Sequence, residues 1–256
     1  MRSVRTHFFL ALVAFLAVVA TLQASHAKSR RGEDPVKLLA EADRARGGLV
    51  KGVVWDIDVE SQEEGEQSVR SFKVKAKGVN ASVEATAPAR NKDEVFLFND
   101  RTMWFFRPGL RKPVSISARQ KLSGQAANGD IASTNYSKDY EGEITGEDTI
   151  GGEKCWVLEL KAKSKSQTYD RIKYWIQKKG KLGVKAEFKT VSGETFKIGT
   201  FEYGNKISTS GGSFPFVSKM TIVDAKFPQN KSAITYKSPR EQAIADSQFN
   251  VNNLAR

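Results

Sequence analysis

From Gly48 onward the sequence changes from a helical period to a period of two, and it keeps that period for most of its length. Trp55, Ile57 and Val59 alternate with Asp56, Asp58 and Glu60, and Phe72, Val74 and Ala76 alternate with Lys73, Lys75 and Lys77. The same pattern returns in Ile172, Tyr174 and Ile176, and again in Val184, Ala186 and Phe188. Side chains at alternate positions of a strand point to opposite faces, so these runs predict strands with one apolar and one charged face. Asn99-Asp100, Gly151-Gly152, Lys179-Gly180-Lys181 and Ser192-Gly193-Glu194 separate them at hairpin spacing. The expected topology is a series of sequential antiparallel strands.

Three segments depart from this pattern. Asp34, Pro35, Arg44, Arg46 and Gly47-Gly48 supply the start and stop chemistry of a helix over 34–46, with Val36, Leu39, Ala40 and Asp43 on one face. Arg44 and Arg46 read there as last-turn cations that complement the helix dipole. Between Ser117 and Tyr140, Ser117-x-x-Gln120 resembles a capping box and Asp130 an N-cap, which predicts one or two short helices. Gly204–Phe214 has loop composition.

Before all of these, Arg2 and Arg5 precede an uncharged run from Phe8 to Ala20, and Ser25-His26-Ala27 offers small residues for cleavage. This predicts a signal peptide over 1–27, too short to span a bilayer comfortably, and a single domain over 28–256. Cleavage removes both histidines, His7 and His26, and leaves 39 Lys+Arg against 29 Asp+Glu, a net charge of +10. Histidine catalysis and histidine metal sites are thereby excluded, and the lone Cys155 has no partner for a disulfide or a zinc cluster. The expectation is a soluble periplasmic protein with no integral membrane segment after cleavage, no metal and no cofactor.

No nucleophile elbow, phosphate-binding loop or HExxH motif occurs. A carboxylate pair meeting in space is the one enzymatic arrangement left open. The positive charge has no nucleic acid to meet in a secreted protein. Its densest groups, Arg107/Arg111/Lys112, Lys161/Lys163/Lys165 and Lys178/Lys179/Lys181, read as solvated faces or as contacts for anionic headgroups or an acidic transporter surface. All 4 Trp remain after cleavage, and Val95–Phe98 with Met103–Phe106 forms a hairpin apolar on both faces. One sheet and one helix cover that much apolar surface only if the sheet curves, around its own core or around a ligand.

The stretch Trp104-Phe-Phe-Arg-Pro-Gly-Leu-Arg-Lys-Pro-Val-Ser-Ile-Ser117, then Leu122-Ser-Gly, Asn128-Gly-Asp-Ile-Ala132 and Thr134-Asn-Tyr-Ser-Lys-Asp-Tyr140, resembles the outer-membrane lipoprotein-sorting proteins, the LolA-like periplasmic carriers, in their extended branch. Tyr169–Ile176, Lys185–Phe188, Phe201–Gly204 and Phe249–Leu254 agree with it. The resemblance implies a mainly β fold with few helices: an unclosed antiparallel β-barrel, or half-barrel, with a helical lid over its concave face. It implies no enzyme, but a carrier of lipid or lipoprotein acyl chains between membranes, with an inner-membrane transporter and an outer-membrane acceptor as partners. The alternative is an accessory or docking module of an envelope transporter without diffusible cargo.

Combined with the strand phases, this assigns Trp55, Ile57, Phe72, Val74, Leu97, Trp104, Phe106, Leu158, Leu160, Tyr174, Ile176, Ala186 and Phe188 to an apolar cavity. The lid helices are expected to leave that cavity hollow. Arg107, Arg111 and Lys112 are assigned to its mouth as a docking point for headgroups or a partner.

Overall fold

Alternation along the chain becomes a sheet of thirteen antiparallel strands among the described residues. The computed structural model describes residues 32–48, 51–99, 101–132, 135–209 and 212–254, so the expected signal peptide lies outside them. Pro35–Arg256 is one compact unit. Its strands are β1 (Val53–Glu63), β2 (Glu66–Lys77), β3 (Asn80–Ala87), β4 (Val95–Asn99), β5 (Thr102–Phe106), β6 (Val114–Ile116), β7 (Lys121–Ser123), β8 (Ala126–Ala127) and β9 (Tyr140–Ile150). They continue with β10 (Glu153–Ala162), β11 (Arg171–Gln177), β12 (Gly183–Lys189), β13 (Thr195–Glu202), β14 (Asn205–Thr209), β15 (Gly212–Phe216), β16 (Lys219–Asp224) and β17 (Lys231–Glu241).

The large sheet runs β6-β5-β4-β3-β2-β1-β17-β16-β13-β12-β11-β10-β9, so β6 and β9 are free edges and the barrel is unclosed. Two meanders meet in the middle, where the last strand, β17, inserts between β1 and β16. The register places like with like: Ile57 lies opposite Phe72 on one side and Tyr236 on the other. Leu158 faces Tyr174, which faces Ala186. Residues directly opposite share a face, so the apolar phases of successive strands merge into one continuous inner surface.

Helix α1 (Pro35–Arg44) packs against that surface through Leu38, Leu39 and Ala42. The buried face also includes Asp43, while Val36 is exposed and Ala40 is too, which corrects the face expected from the sequence. Its seat on the sheet is close. A Cβ on Gly142 of β9 would stand 2.9 Å from the Leu39 side chain and 3.0 Å from that of Leu160, so only glycine lets the helix approach this far.

The segment expected to hold short helices is mostly a strap. It comprises the β7–β8 hairpin, a single 3-10 turn at Asn128–Ile131 and one helical turn, α2 (Tyr136–Asp139). The capping chemistry at Ser117 does form: Arg119 N–H donates to Ser117 Oγ at 3.2 Å, and Ser117 N–H to Gln120 Oε1 at 3.3 Å. It closes a turn and not a helix, because long-range hydroxyls hold the next residues. Ser61 Oγ donates to Ser123 Oγ at 2.9 Å, and Ser232 Oγ to the Ser123 carbonyl at 3.0 Å, which fastens the hairpin to β1 and β17. Asp130 is not an N-cap either; its carboxylate reaches back to Ala127 N–H at 2.8 Å. Gly204–Phe214, expected as a loop, contributes to the separate β14–β15 hairpin, anchored by buried Ile207 and Phe216.

Candidate functional site

Ten of the thirteen residues assigned to the cavity meet in one buried cluster on the inner face: Trp55, Ile57, Phe72, Val74, Leu158, Leu160, Tyr174, Ile176, Ala186 and Phe188. The other three are on the wrong side. Leu97 packs with Val54, Ile244 and Phe249 in a second cluster, with Trp104 against it. Phe106, opposite Val95, shares the phase of Trp104, whereas Phe96, Phe98, Met103 and Phe105 belong to the inner cluster. The physical reason is the chain after β17, which returns across the outer face of β3 and β4. Asn99 Nδ2 donates to the Phe249 carbonyl at 2.5 Å, and Lys77 Nζ contacts Asp246 at 2.7 Å. A hairpin apolar on both faces therefore serves two cores.

The expected hollow is filled by aromatic side chains. Tyr169 stacks on Phe188 with ring centres 3.8 Å apart, and Tyr136 meets Tyr140 at 5.2 Å and Tyr174 at 5.3 Å. Beside them lies a cleft of about 40 Å³ whose lining includes Phe98, Asp130, Tyr136, Asp139, Tyr140 and Arg46. That holds a small polar group or a few waters; a benzene-sized guest needs about 150 Å³. A second depression of about 270 Å³ is lined by Glu63, Glu64, Glu66 and serines and offers an acyl chain nothing.

Polar groups sit under the helices. The Asp43 carboxylate accepts from Tyr136 N–H at 3.0 Å, Ser137 N–H at 2.9 Å and Ser137 Oγ at 2.7 Å, and so ties α1 to α2. Burial nevertheless outweighs these bonds and pushes its pKa up to about 6. Asp130, holding the Tyr169 hydroxyl at 2.9 Å, is likewise raised by burial. Arg46 reads from its sequence position as a last-turn dipole partner, and in the structure only 4% of it is exposed. Its guanidinium lies 4.2 Å from the Phe201 ring centre and 5.2 Å from that of Tyr136. Arg44, its counterpart in the last turn, lies over the Phe214 ring at 4.1 Å.

The remaining candidates fall outside this interior. Arg107, Arg111 and Lys112 are exposed on the β5–β6 turn beside the sheet's edge strand. Lys163 is structural: its ammonium donates to the Lys138 carbonyl at 2.9 Å and closes the end of α2. Lys178 lies 3.8 Å over Trp156 and pairs with Glu147. Cys155 is buried with Val157 and Trp175 on the outer face, and burial raises its thiol pKa, as suits a packing residue. Among the described residues no group of three or more His, Cys, Asp or Glu is placed to hold a metal.

This architecture has solved counterparts. A family model described as that of an uncharacterized protein matches residues 77–256, and a search of curated proteins returns no match. A LolA superfamily protein from Nitrosomonas europaea superposes with a TM-score of 0.76 at 26% identity, over 86% of this chain and 100% of that one. The chain belongs to the family that the matched model describes, and its fold is that of the LolA superfamily. An outer membrane lipoprotein-sorting protein domain from Vibrio parahaemolyticus (TM-score 0.72, 20% identity, 87% of this chain and 98% of that) shares the fold. So does a DUF1329 family protein from Desulfovibrio piger (TM-score 0.70, 20% identity, 87% and 100%). No helix among the described residues of this chain is long and apolar enough to cross a membrane.

Proposed function

We propose that the protein is a periplasmic carrier that takes up a lipid, or the acyl chains of a lipoprotein, against its inner face and passes it between envelope membranes. The observation that carries this reading is the division of the interior into a continuous apolar sheet face and a detachable cover. The strands are held by long ladders, whereas α1 and α2 are joined to each other by the bonds of one carboxylate, Asp43. Opening the cover also breaks the bonds from Val217 N–H to the Ala45 carbonyl and from Lys163 to the end of α2, and against this each methylene of cargo that leaves water returns ~0.8 kcal/mol. The filled interior is the cargo-free state, in which tyrosines occupy the space a chain would take. Exposed Arg107, Arg111 and Lys112 are the contact for anionic headgroups or for a transporter and acceptor.

Mass spectrometry of the protein isolated without detergent, followed by uptake of a fluorescent fatty acyl probe, tests this. The expected result is one bound lipid or probe per chain. The filled interior also favours the second reading, an accessory module of an envelope transporter with no diffusible cargo. An isolated protein free of lipid that also takes up no probe would establish it in place of the carrier.

A further inference from the structure

A guanidinium carries five N–H donors and a full charge, and burying one without acceptors is among the more expensive things a fold can do. The Arg46 side chain is in that position. Among the described residues its hydrogen-bond acceptors are the Tyr174 hydroxyl at 3.5 Å and the Met220 sulfur at 4.0 Å, and its Nε has none. Neither Asp43 nor Asp130 forms an ion pair with it. The three bonds to Asp43 come from Tyr136 and Ser137, and the Asp130 oxygens are occupied by Tyr169 and Ala127. The rings of Phe201 and Tyr136 lie against the charge and the hydroxyls of Tyr136 and Tyr174 favour it, but they leave its Nε without an acceptor.

Arg46 also lines the cleft of about 40 Å³, which is the scale of a carboxylate or a few waters. A second orphan donor, Trp55 Nε1, is buried on the same apolar face. An unfilled guanidinium donor in a cleft beside an apolar surface calls for an oxygen-rich anion attached to a hydrocarbon. We propose that Arg46 anchors the acidic head of an amphiphile, a carboxylate or a phosphate, while its chain lies along the inner face in place of the tyrosine rings. Asp130 and Asp139 line the same cleft, and burial pushes both toward their neutral forms, which lessens their repulsion of an incoming anion. This rests on the carrier reading and adds the class of cargo to it.

The test compares oleate with oleyl alcohol, and dioleoyl phosphatidylglycerol with dioleoylglycerol, on the wild type and on Arg46→Met and Arg46→Lys. Acetate and inorganic phosphate serve as chainless controls. The wild type is expected to prefer each acidic lipid over its uncharged counterpart by about tenfold or more. Arg46→Met should erase that preference while leaving the uncharged lipids within about twofold, and Arg46→Lys should keep part of it. Because no carboxylate bonds the buried charge directly without cargo, Arg46→Met should melt no lower than the wild type. Should the variants fail to fold, the ¹H–¹⁵N resonance of Arg46 Nε in the wild type decides: it shifts with oleate and not with oleyl alcohol.

Equal binding of charged and uncharged lipids, equal losses on both in Arg46→Met, or an unmoved Nε resonance would overturn the anchor and leave the carrier intact. Chainless anions binding as tightly as oleate would overturn it too. Binding of none of the four lipids removes the carrier reading together with the anchor.

Discussion

Asp43 faces two opposed demands, since its three donors favour the carboxylate and its burial favours the acid. The balance raises its pKa from 3.8 to about 6. The folded chain therefore holds this proton more tightly than the unfolded one does. The resulting stability is full below about pH 4 and is lost as pH rises through about 6, on the order of 3 kcal/mol in all. Asp43→Asn keeps the shape but removes the titration and turns an amide N–H₂ toward the Ser137 donors. The difference in urea-unfolding free energy between wild type and variant should be largest near pH 4 and shrink as pH rises to 7. A difference that grows with pH would mean that the hydrogen bonds, not burial, rule the group. The burial of Arg46 is not legible in the sequence, because a basic residue near a helix end has an ordinary explanation in the dipole. The residues that bury it, Tyr174, Phe201 and Met220, lie more than a hundred positions further along the chain.

Elements are legible where a single physical demand acts on them. Strands β1, β2, β11 and β12 bury one face along most of their length, Val54 and Trp175 being buried on the other, so their alternation keeps a readable phase in the sequence. The β4–β5 hairpin buries both faces, which erases the alternation, and nothing local says which of Leu97 and Phe96 points inward. The deciding partner, Phe249, is 150 residues from its bonded contact at Asn99. Phe249→Ala should cost about 3–5 kcal/mol in denaturant unfolding, as for other fully buried Phe, and should make Trp104 more accessible to quenchers. An effect under about 1 kcal/mol would mean that the C-terminal segment only rests on the sheet. The strap is illegible for a related reason, since its hydroxyl partners Ser61 and Ser232 lie far away in sequence. Helix α1 offers the complementary probe. Gly142→Val forces a side chain against Leu39 and Leu160 and should cost about 1–3 kcal/mol. Amide exchange in α1 should quicken while β10 and β11 stay protected; uniform quickening would show that the cover does not open apart from the sheet.

For the whole molecule, the net charge of +12 in the full chain is less informative than where the charges are free. The turns at one end of the strands, between β10 and β11 and between β16 and β17, use lysines internally. Lys163 closes α2, and Lys226 pairs with Glu194 at 2.8 Å. At the opposite end Lys178 is held by Glu147 and Trp156. Arg107, Arg111 and Lys112 have no ion-pair partner among the described residues and stand exposed around Gly109, whose φ of 91° turns the chain sharply. Unpaired exposed cations contribute little to folding but raise encounter rates with an anionic surface through their long-range field. Replacing all three with Gln should leave the unfolding free energy within about 0.5 kcal/mol, because none is buried or bonded. Association with vesicles containing phosphatidylglycerol should slow at low ionic strength, and the gap from wild type should close as salt rises past ~0.15 M, where screening shortens the reach of surface charge to about 8 Å. Lys178→Gln is the control, since that ammonium already has partners and should change the association rate less. Equal slowing in the control would make net charge, and not this turn, the source of the attraction, and unchanged rates in the triple variant would remove the turn from any docking role.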